Sequence, residues 1–440
     1  MDSRLLKYAE LDVPRYTSYP TAPHFNESVD GAVYARWLSE LPPEASISLY
    51  IHVPYCQRMC WYCGCHAFAV RRDEPVAQYV EALECEIECV VGVSGAKSVR
   101  EIHWGGGTPN SLNPERFEAI VDRLAQRFDL SRLERHAIEL DPRLLTDEQA
   151  QTFARCGVNR ASLGVQDLDV GVQVAIGREQ PFECVRDAAN RLRDVGVAAL
   201  SFDLMYGLPH QTLETVRRTA ELAASLRPDR FSVFGYAHVP WFKARQRLIS
   251  EAALPGTEAR FELAEAIAET LRAAGYVSIG YDHYALPSDP IARAARAGEL
   301  RRNFQGFVEY ECDALIGLGP SSISTLPQGY AQNEPNVSDW QTKAGSGEFS
   351  TCRGRALSME DRQRRDLIMR LLCDFELTLD SPDNFRRELS ELAPLVRDGL
   401  VELDDGRISV PPAARPFARI VANVFDTYRQ EGAARHSRAV

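Results

Sequence analysis

Six short apolar runs rich in β-branched residues punctuate the chain: SISLYIHVP, REIHWGGG, HAIELDP, RASLGVQ, LSFDLMYGLP and RFSVFGYAHVP. Each reads as a strand closed by Gly, Pro or a polar residue. The stretches between them follow another rhythm. In EPVAQYVEALECEIECVV, NPERFEAIVDRLAQRF, FECVRDAANRLRDVGV, TLETVRRTAELAASLRP and EARFELAEAIAETLRAAG, apolar positions return every three or four residues, which predicts amphipathic helices. Strand then helix, repeated, means parallel βαβ units. A doubly wound sheet and a barrel both fit that order. A barrel, complete or partial, is favoured because polar and Gly residues end nearly every strand, where a barrel carries its functional loops.

After about residue 340 the pattern changes. GSGEFSTCRGRALSMEDRQRRDLIMRLLCDFEL passes from a Gly/Ser-rich stretch into a helix, and VELDDGRISV reads as a hairpin with Asp-Gly at its turn. At the other end, RYTSYPTAPHF holds too many turn formers for a regular element. The expected division is an N-terminal arm (1–45), a barrel with its extension (46–340) and a smaller, mostly helical domain (341–440).

Composition narrows the classes. Hydrophobic content of 45% and charged content of 25% are ordinary for a globular chain. A net charge of −12 argues against nucleic acid as the main partner. It leaves a small anionic ligand open, since a local pocket can be basic. MDSRLLKYAELDVPRY has no apolar run and no stretch is long enough to span a bilayer, so no signal peptide and no membrane segment are expected. The expected setting is the cytoplasm, with thiols reduced.

There are eleven cysteines, an odd count that speaks against a disulfide framework. Four crowd into VPYCQRMCWYCGCHAF: Cys56, Cys60, Cys63 and Cys65. Thiolates suit zinc or iron–sulfur iron. A structural zinc site usually takes two separated pairs, and no second C-x2-C exists here. Three closely spaced thiolates can instead take three corners of a cubane and leave the fourth iron open.

C-x3-C-x2-C after a first strand resembles the radical S-adenosylmethionine (SAM) superfamily. The neighbourhood is more specific. CWYCGC resembles the oxygen-independent coproporphyrinogen III oxidase family, whereas related heme chaperones and heme-degrading methyltransferases usually lack the Gly-Cys. Further blocks resemble the same family: RYTSYPTA (15–22), HWGGGTP (103–109), ELDPR (139–143), GVQD (164–167), GREQ (177–180), DLMYGLP (203–209), VFGYAHVP (233–240), RRNFQG (301–306), YAQN (330–333) and the terminal HSRAV.

The resemblance implies an α/β fold: a partial (β/α)6 radical SAM barrel with an N-terminal arm and a mostly helical C-terminal domain. It implies a 4Fe–4S cluster on Cys56, Cys60 and Cys63, and SAM cleaved at the open iron to methionine and a 5′-deoxyadenosyl radical. It implies two bound SAM molecules. Tyr50, Gly106, Gly107, Thr108, Glu139 and Ile323 fall where the family meets the first, Gln166, Arg178 and Asp203 stand for the second, and Tyr62 and Ala237 are further SAM-contact candidates.

Plainer readings stand beside these. Glycines also make tight turns. Strand-end acids such as Glu139, Asp203 or Asp141 can cap helices, although a carboxylate also suits a ribose hydroxyl or an ammonium. Arg178 can be a surface arginine. Tyr62 stands where the family commonly has Phe, and its hydroxyl needs a partner. Ala237 offers mainly backbone. Cys65 faces the substrate or packs nearby; the spacing leaves both open. His52, His103, His238 and His283 are assigned to no metal.

The implied reaction converts two propionates of coproporphyrinogen III to vinyl groups, giving protoporphyrinogen IX for heme. Four substrate carboxylates call for arginines, and Arg15 and Arg302 are the candidates. The implied partners are that substrate and an electron donor such as a flavodoxin or ferredoxin, with the chain a monomer. The alternatives are a heme-binding chaperone, a heme-degrading radical SAM methyltransferase and a zinc-stabilised structural module.

Overall fold

In Arg160–Gln166 and Ala199–Tyr206 every second residue is buried. Ala161, Leu163, Val165, Leu200, Phe202 and Leu204 join the main core, while Ser162, Gln166 and Asp203 alternate with them on the other face. A curved sheet therefore keeps its polar positions on the concave side. The structure, a computed structural model, describes residues 3–430; the terminal HSRAV lies outside the described residues.

Six parallel strands form the barrel wall in chain order: β1 (Ser46–Val53), β2 (Ser98–Gly106), β3 (Arg135–Leu140), β4 (Arg160–Gln166), β5 (Ala199–Tyr206) and β6 (Arg230–Gly235). The helices that return the chain are α1 (Glu74–Val93), α2 (Pro114–Arg127), α3 (Asp147–Arg155), α4 (Phe182–Asp194), α5 (Leu213–Ser225) and α6 (Thr257–Ala273). Helix α2 shows why they form. Asn113 caps its first turn by accepting from Arg116 N at 3.0 Å, Pro114 follows, and Phe117, Ile120, Val121 and Leu124 make one buried stripe. Burying side chains of this size contributes about 1.5–3 kcal/mol each.

The wall does not close on itself. The sheet continues at both edges through β7 (Val277–Ile279), β8 (His283–Ala285), β9 (Ala314–Leu318), β10 (Ile323–Leu326), β11 (Gly329–Asn333) and β12 (Thr351–Ala356). Its order is β12-β11-β10-β9-β1-β2-β3-β4-β5-β6-β8-β7. The expected partial barrel is what the chain builds. None of the six flanking strands was expected individually.

Two cores differ from the expected division. The boundary at 340/341 falls inside helix Val337–Gly345, and β12 still belongs to the large sheet. The second core gathers Leu367, Ile368, Leu371 and Leu372 of helix Met359–Cys373 with Phe417, Val421 and Phe425. The predicted hairpin is present, with Asp405 and Gly406 at φ 40° and 80° in its turn. The arm is not one unit either. Helix Gly31–Ser39 buries Tyr34, Trp37 and Leu38 in the barrel core, whereas Tyr8, Val13, Tyr16 and Tyr19 lie in the second core.

One buried acid ties the barrel to its extension. Glu86, on the inner face of α1, accepts from Gly319 N at 2.7 Å, Asn333 Nδ2 at 2.6 Å and Trp340 Nε1 at 3.2 Å.

Candidate functional site

The cysteine loop leaves β1 at the C-terminal mouth of the barrel and returns beside it. Phe68 N donates to Pro54 O at 2.8 Å and Val70 N to Cys56 O at 2.9 Å. On the other side, Gly107 N donates to Val53 O at 2.7 Å and Thr108 N to Tyr55 O at 2.8 Å. The glycines of HWGGGTP are needed here. A Cβ on Gly106, at φ 103°, would stand 2.7 Å from the His52 ring, and one on Gly107 would stand 2.6 Å from the Tyr55 carbonyl. Tight turning and close backbone approach are both present.

Each cysteine of the motif has its own polar neighbour. The Cys56 sulfur lies 3.2 Å from Thr108 Oγ1. Burial pushes the Cys56 thiol up to about 11, and the nearby Cys63 and Cys60 add to the shift. Cys60 is buried and receives Arg178 Nη1 at 3.3 Å. Cys63 receives the N–H of Cys65 at 3.4 Å; hydrogen bonding from Cys65 holds the Cys63 thiol down, to about 6. Cys65 itself is exposed. Among the described residues no three Cys, His, Asp or Glu side chains gather tightly enough to hold a single ion. A cubane asks instead that each thiolate take a separate corner, and three thiols spaced along one loop fit that requirement.

The acids stand on the concave side of the neighbouring strands. Glu139 ends β3 and accepts from His103 Nε2 at 3.0 Å. Asp203, on β5, takes the Ser162 hydroxyl at 3.1 Å; burial and then the charge of Glu139 raise its carboxyl to about 6. Tyr50 stacks on His103 with ring centroids 5.9 Å apart and meets His52 Nδ1 at 3.2 Å. His52 is buried, which lowers it to about 4. His238 bonds to Tyr236 and Glu251, and His283 to Asp282.

Gln166 sits in a β-bulge at the end of β4 with φ 65°. Arg178 is no surface arginine. It is buried, its Nη2 donates to Gly164 O at 2.6 Å, and its Nε has no partner. The Tyr62 phenol is pushed well above its ordinary value by burial, between Arg178 and Cys60. Gln246 Nε2 ties the loops together by donating to Tyr62 O at 2.9 Å and Ala237 O at 3.2 Å. Ile323 opens β10 and packs toward Phe25, Tyr330 and Leu357, on the far side of β1 from the acids.

Beyond β6 the mouth widens into a cavity of about 600 Å³ whose lining includes Arg15, Gly235, Ala237, Arg260, Tyr281 and Arg419. The arm, the barrel and the C-terminal domain each supply part of its wall. Arg15 lines it, with Nη2 on Gly235 O at 3.0 Å. Arg302 does not. It is buried between the rings of Tyr281 and Phe307 and donates to Tyr16 O and Arg15 O, each at 3.3 Å. Both bonds run to the arm.

The Radical SAM superfamily profile matches residues 50–223, and the HemN C-terminal domain profile matches 357–417. A curated oxygen-independent coproporphyrinogen III oxidase from Bradyrhizobium diazoefficiens is 47% identical over 99% of both chains. This chain belongs to the oxygen-independent coproporphyrinogen III oxidase family. The Escherichia coli member is 36% identical over 98% of this chain and 96% of its own. The solved structure of coproporphyrinogen III oxidase from Escherichia coli, described as a radical SAM enzyme, superposes with a TM-score of 0.89. It is 37% identical and covers 94% of this chain and 97% of its own. Sequence reading misread one residue here and missed another. Asp141 caps no helix; Thr146 caps α3, while Asp141 accepts from Arg143. Gln246 gave no signal, because a lone Gln in a loop has no pattern.

Proposed function

We propose that this chain carries out the oxygen-independent oxidative decarboxylation of coproporphyrinogen III to protoporphyrinogen IX. Each of two propionates loses a β-hydrogen, an electron and CO2 and becomes a vinyl group. When bound, a 4Fe–4S cluster and SAM supply the C–H cleavage that no side-chain acid or base can perform. The observation that carries the reading is the loop itself: Cys56, Cys60 and Cys63 lie within eight positions of one loop at the barrel mouth, near enough for Cys60 and Cys63 to shift the Cys56 thiol.

The residues divide the work. Cys56, Cys60 and Cys63 hold the cluster. Gly106, Gly107 and Thr108 offer exposed backbone to the amino-acid end of one SAM, with Glu139 for its ribose and Tyr50 and Ile323 at its flanks. Tyr62, Gln166, Arg178, Asp203 and Ala237 receive a second SAM; the unpartnered Arg178 Nε and the raised Asp203 carboxyl support a polar ligand there. The cavity beyond β6 receives the porphyrinogen, with Arg15, Arg260 and Arg419 for its carboxylates. Arm and C-terminal domain exclude water. The electron donor is a small protein of the flavodoxin or ferredoxin kind, the working unit is one chain, and the compartment is the cytoplasm. No helix among the described residues is long and apolar enough to cross a membrane.

The test is anaerobic. Purified chain with iron–sulfur absorption is given reductant, SAM and coproporphyrinogen III. Protoporphyrinogen IX formed together with 5′-deoxyadenosine and methionine is expected, and both products vanish in Cys56→Ala. Deoxyadenosine without decarboxylation, together with tight heme binding or heme consumption, would overturn the reading in favour of the chaperone or methyltransferase.

A further inference from the structure

Two guanidinium groups converge on one sulfur of the loop. Arg178 Nη1 donates to Cys60 at 3.3 Å, and Arg143 Nη2 reaches the same atom at 3.7 Å. Asp141 organises both. It accepts from Arg143 Nε at 2.9 Å and Nη2 at 2.6 Å, and its Oδ2 lies 3.5 Å from Arg178 Nη1. Asp141 is itself pinned, its N–H on Asn110 Oδ1 at 3.1 Å and its carbonyl accepting Asn110 Nδ2 at 3.0 Å. The side chains of Asp141, Arg178 and Arg143 are 7%, 8% and 13% exposed. Two cations and one anion leave a net positive charge beside Cys60. Cys56 has a hydroxyl neighbour and Cys63 a backbone N–H, so of the three it is Cys60 that takes guanidinium hydrogen bonds.

We propose that Arg143 is a positioning residue that sets the electron affinity of the cluster through the Cys60 sulfur. The inference rests on the reading of Cys60 as a cluster ligand. Reduction adds a negative charge that spreads over the ligating sulfurs. A cation and an N–H donor in a buried place stabilise that charge more than in water, so the potential rises. Arg178 also bonds to the barrel wall and faces Tyr62. Arg143 bonds to Asp141 and Cys60, which leaves tuning as its role. Asp141 aims it and offsets part of its charge.

The test uses the full chain reconstituted without oxygen and titrated in the absence of SAM. The midpoint potential is followed by electron paramagnetic resonance in wild type, Arg143→Lys, Arg143→Gln and Arg143→Leu. The Gln and Leu variants should be harder to reduce by at least tenfold in the one-electron equilibrium, about 59 mV. Lys should lie between them and wild type. A potential unmoved in Gln or Leu at full iron content and native absorption overturns the inference. If Leu loses iron, Gln decides, because it keeps an N–H donor and drops the charge. A wild-type chain that binds no cluster would sink the ligand assignment itself, a separate failure.

Discussion

Replacing Gly107 with alanine should empty the cysteine loop of iron while leaving the barrel folded. The Cβ would stand 2.6 Å from the Tyr55 carbonyl oxygen, 2.9 Å from Tyr55 N and 2.9 Å from the Val53 carbonyl oxygen. All are backbone atoms, which cannot swing aside as the end of a side chain does. Ordinary contact begins at 3.4 Å, so bringing 2.6 Å out to that distance moves the Tyr55 peptide by about 0.8 Å. Overpacking of this kind costs about 1–3 kcal/mol. The bonds from Gly107 N to Val53 O and from Thr108 N to Tyr55 O lengthen with it, at about 1 kcal/mol each. The strain, about 3–5 kcal/mol in all, falls on the residue before Cys56. Site geometry tolerates displacements of about 0.5 Å, less than the shift required. A penalty of about 3 kcal/mol on the loaded form weakens cluster retention more than a hundredfold, at about 1.4 kcal/mol per factor of ten. The assay is iron and sulfide per chain after anaerobic reconstitution, with far-ultraviolet circular dichroism as the fold control. Gly64→Ala is the partner variant, because a Cβ there meets nothing within 4 Å. Full iron in Gly107→Ala, or equal loss in Gly64→Ala, would refute the reasoning.

Burial holds the Glu86 carboxyl at about 7 against an ordinary 4.5, so the folded chain keeps a proton that the unfolded chain releases between those values. Stability through this group falls as pH rises across that window, by up to about 3 kcal/mol; Glu86→Gln should flatten the slope of melting temperature against pH, and an unchanged slope counts against it. Arg302→Met should loosen the arm by about 2 kcal/mol and speed limited proteolysis around residues 10–20, whereas Arg15→Gln should leave the melt alone and raise the KM for coproporphyrinogen III. The reverse pattern would exchange the roles assigned to the two arginines. Cys65→Ala should keep its iron while Cys56→Ala, Cys60→Ala and Cys63→Ala each lose it. In the iron-free chain the same change should slow alkylation of Cys63 near neutral pH, since Cys65 holds that thiol at about 6.

The six βα units were legible because long helices and β-branched strands impose their periods over many residues. The flanking strands were not. Val277–Ile279 and His283–Ala285 span three residues each, too few for alternation to register. Thr351–Ala356 reads TCRGRA, whose charges stand on an edge strand that faces water on one side. The cysteine motif was legible as chemistry because four thiols in one loop have no packing rationale. Its surroundings were less so. Asp141 before a proline looks like a cap from the chain alone, and only the fold brings Arg178 to it across 37 positions of sequence. Arg302 shows the converse. A motif arginine invites a ligand, but its place between two rings decides its use.

The arm has a bearing on how the chain is made. Tyr16 bonds to Asn423 at 2.8 Å and Tyr19 to Thr427 at 3.0 Å, across more than 400 positions. Tyr16 and Tyr19 thus wait for a segment made more than 400 residues later before these bonds can form. The barrel can assemble meanwhile, since its units pair neighbour with neighbour. Until Asn423 and Thr427 are synthesised the arm lacks these two fastenings, and the cysteine loop stays within reach of whatever delivers iron and sulfide. A chain cut short of Asn423 would carry a folded barrel with a sticky leading end, and would be a substrate for quality control before it could be an enzyme.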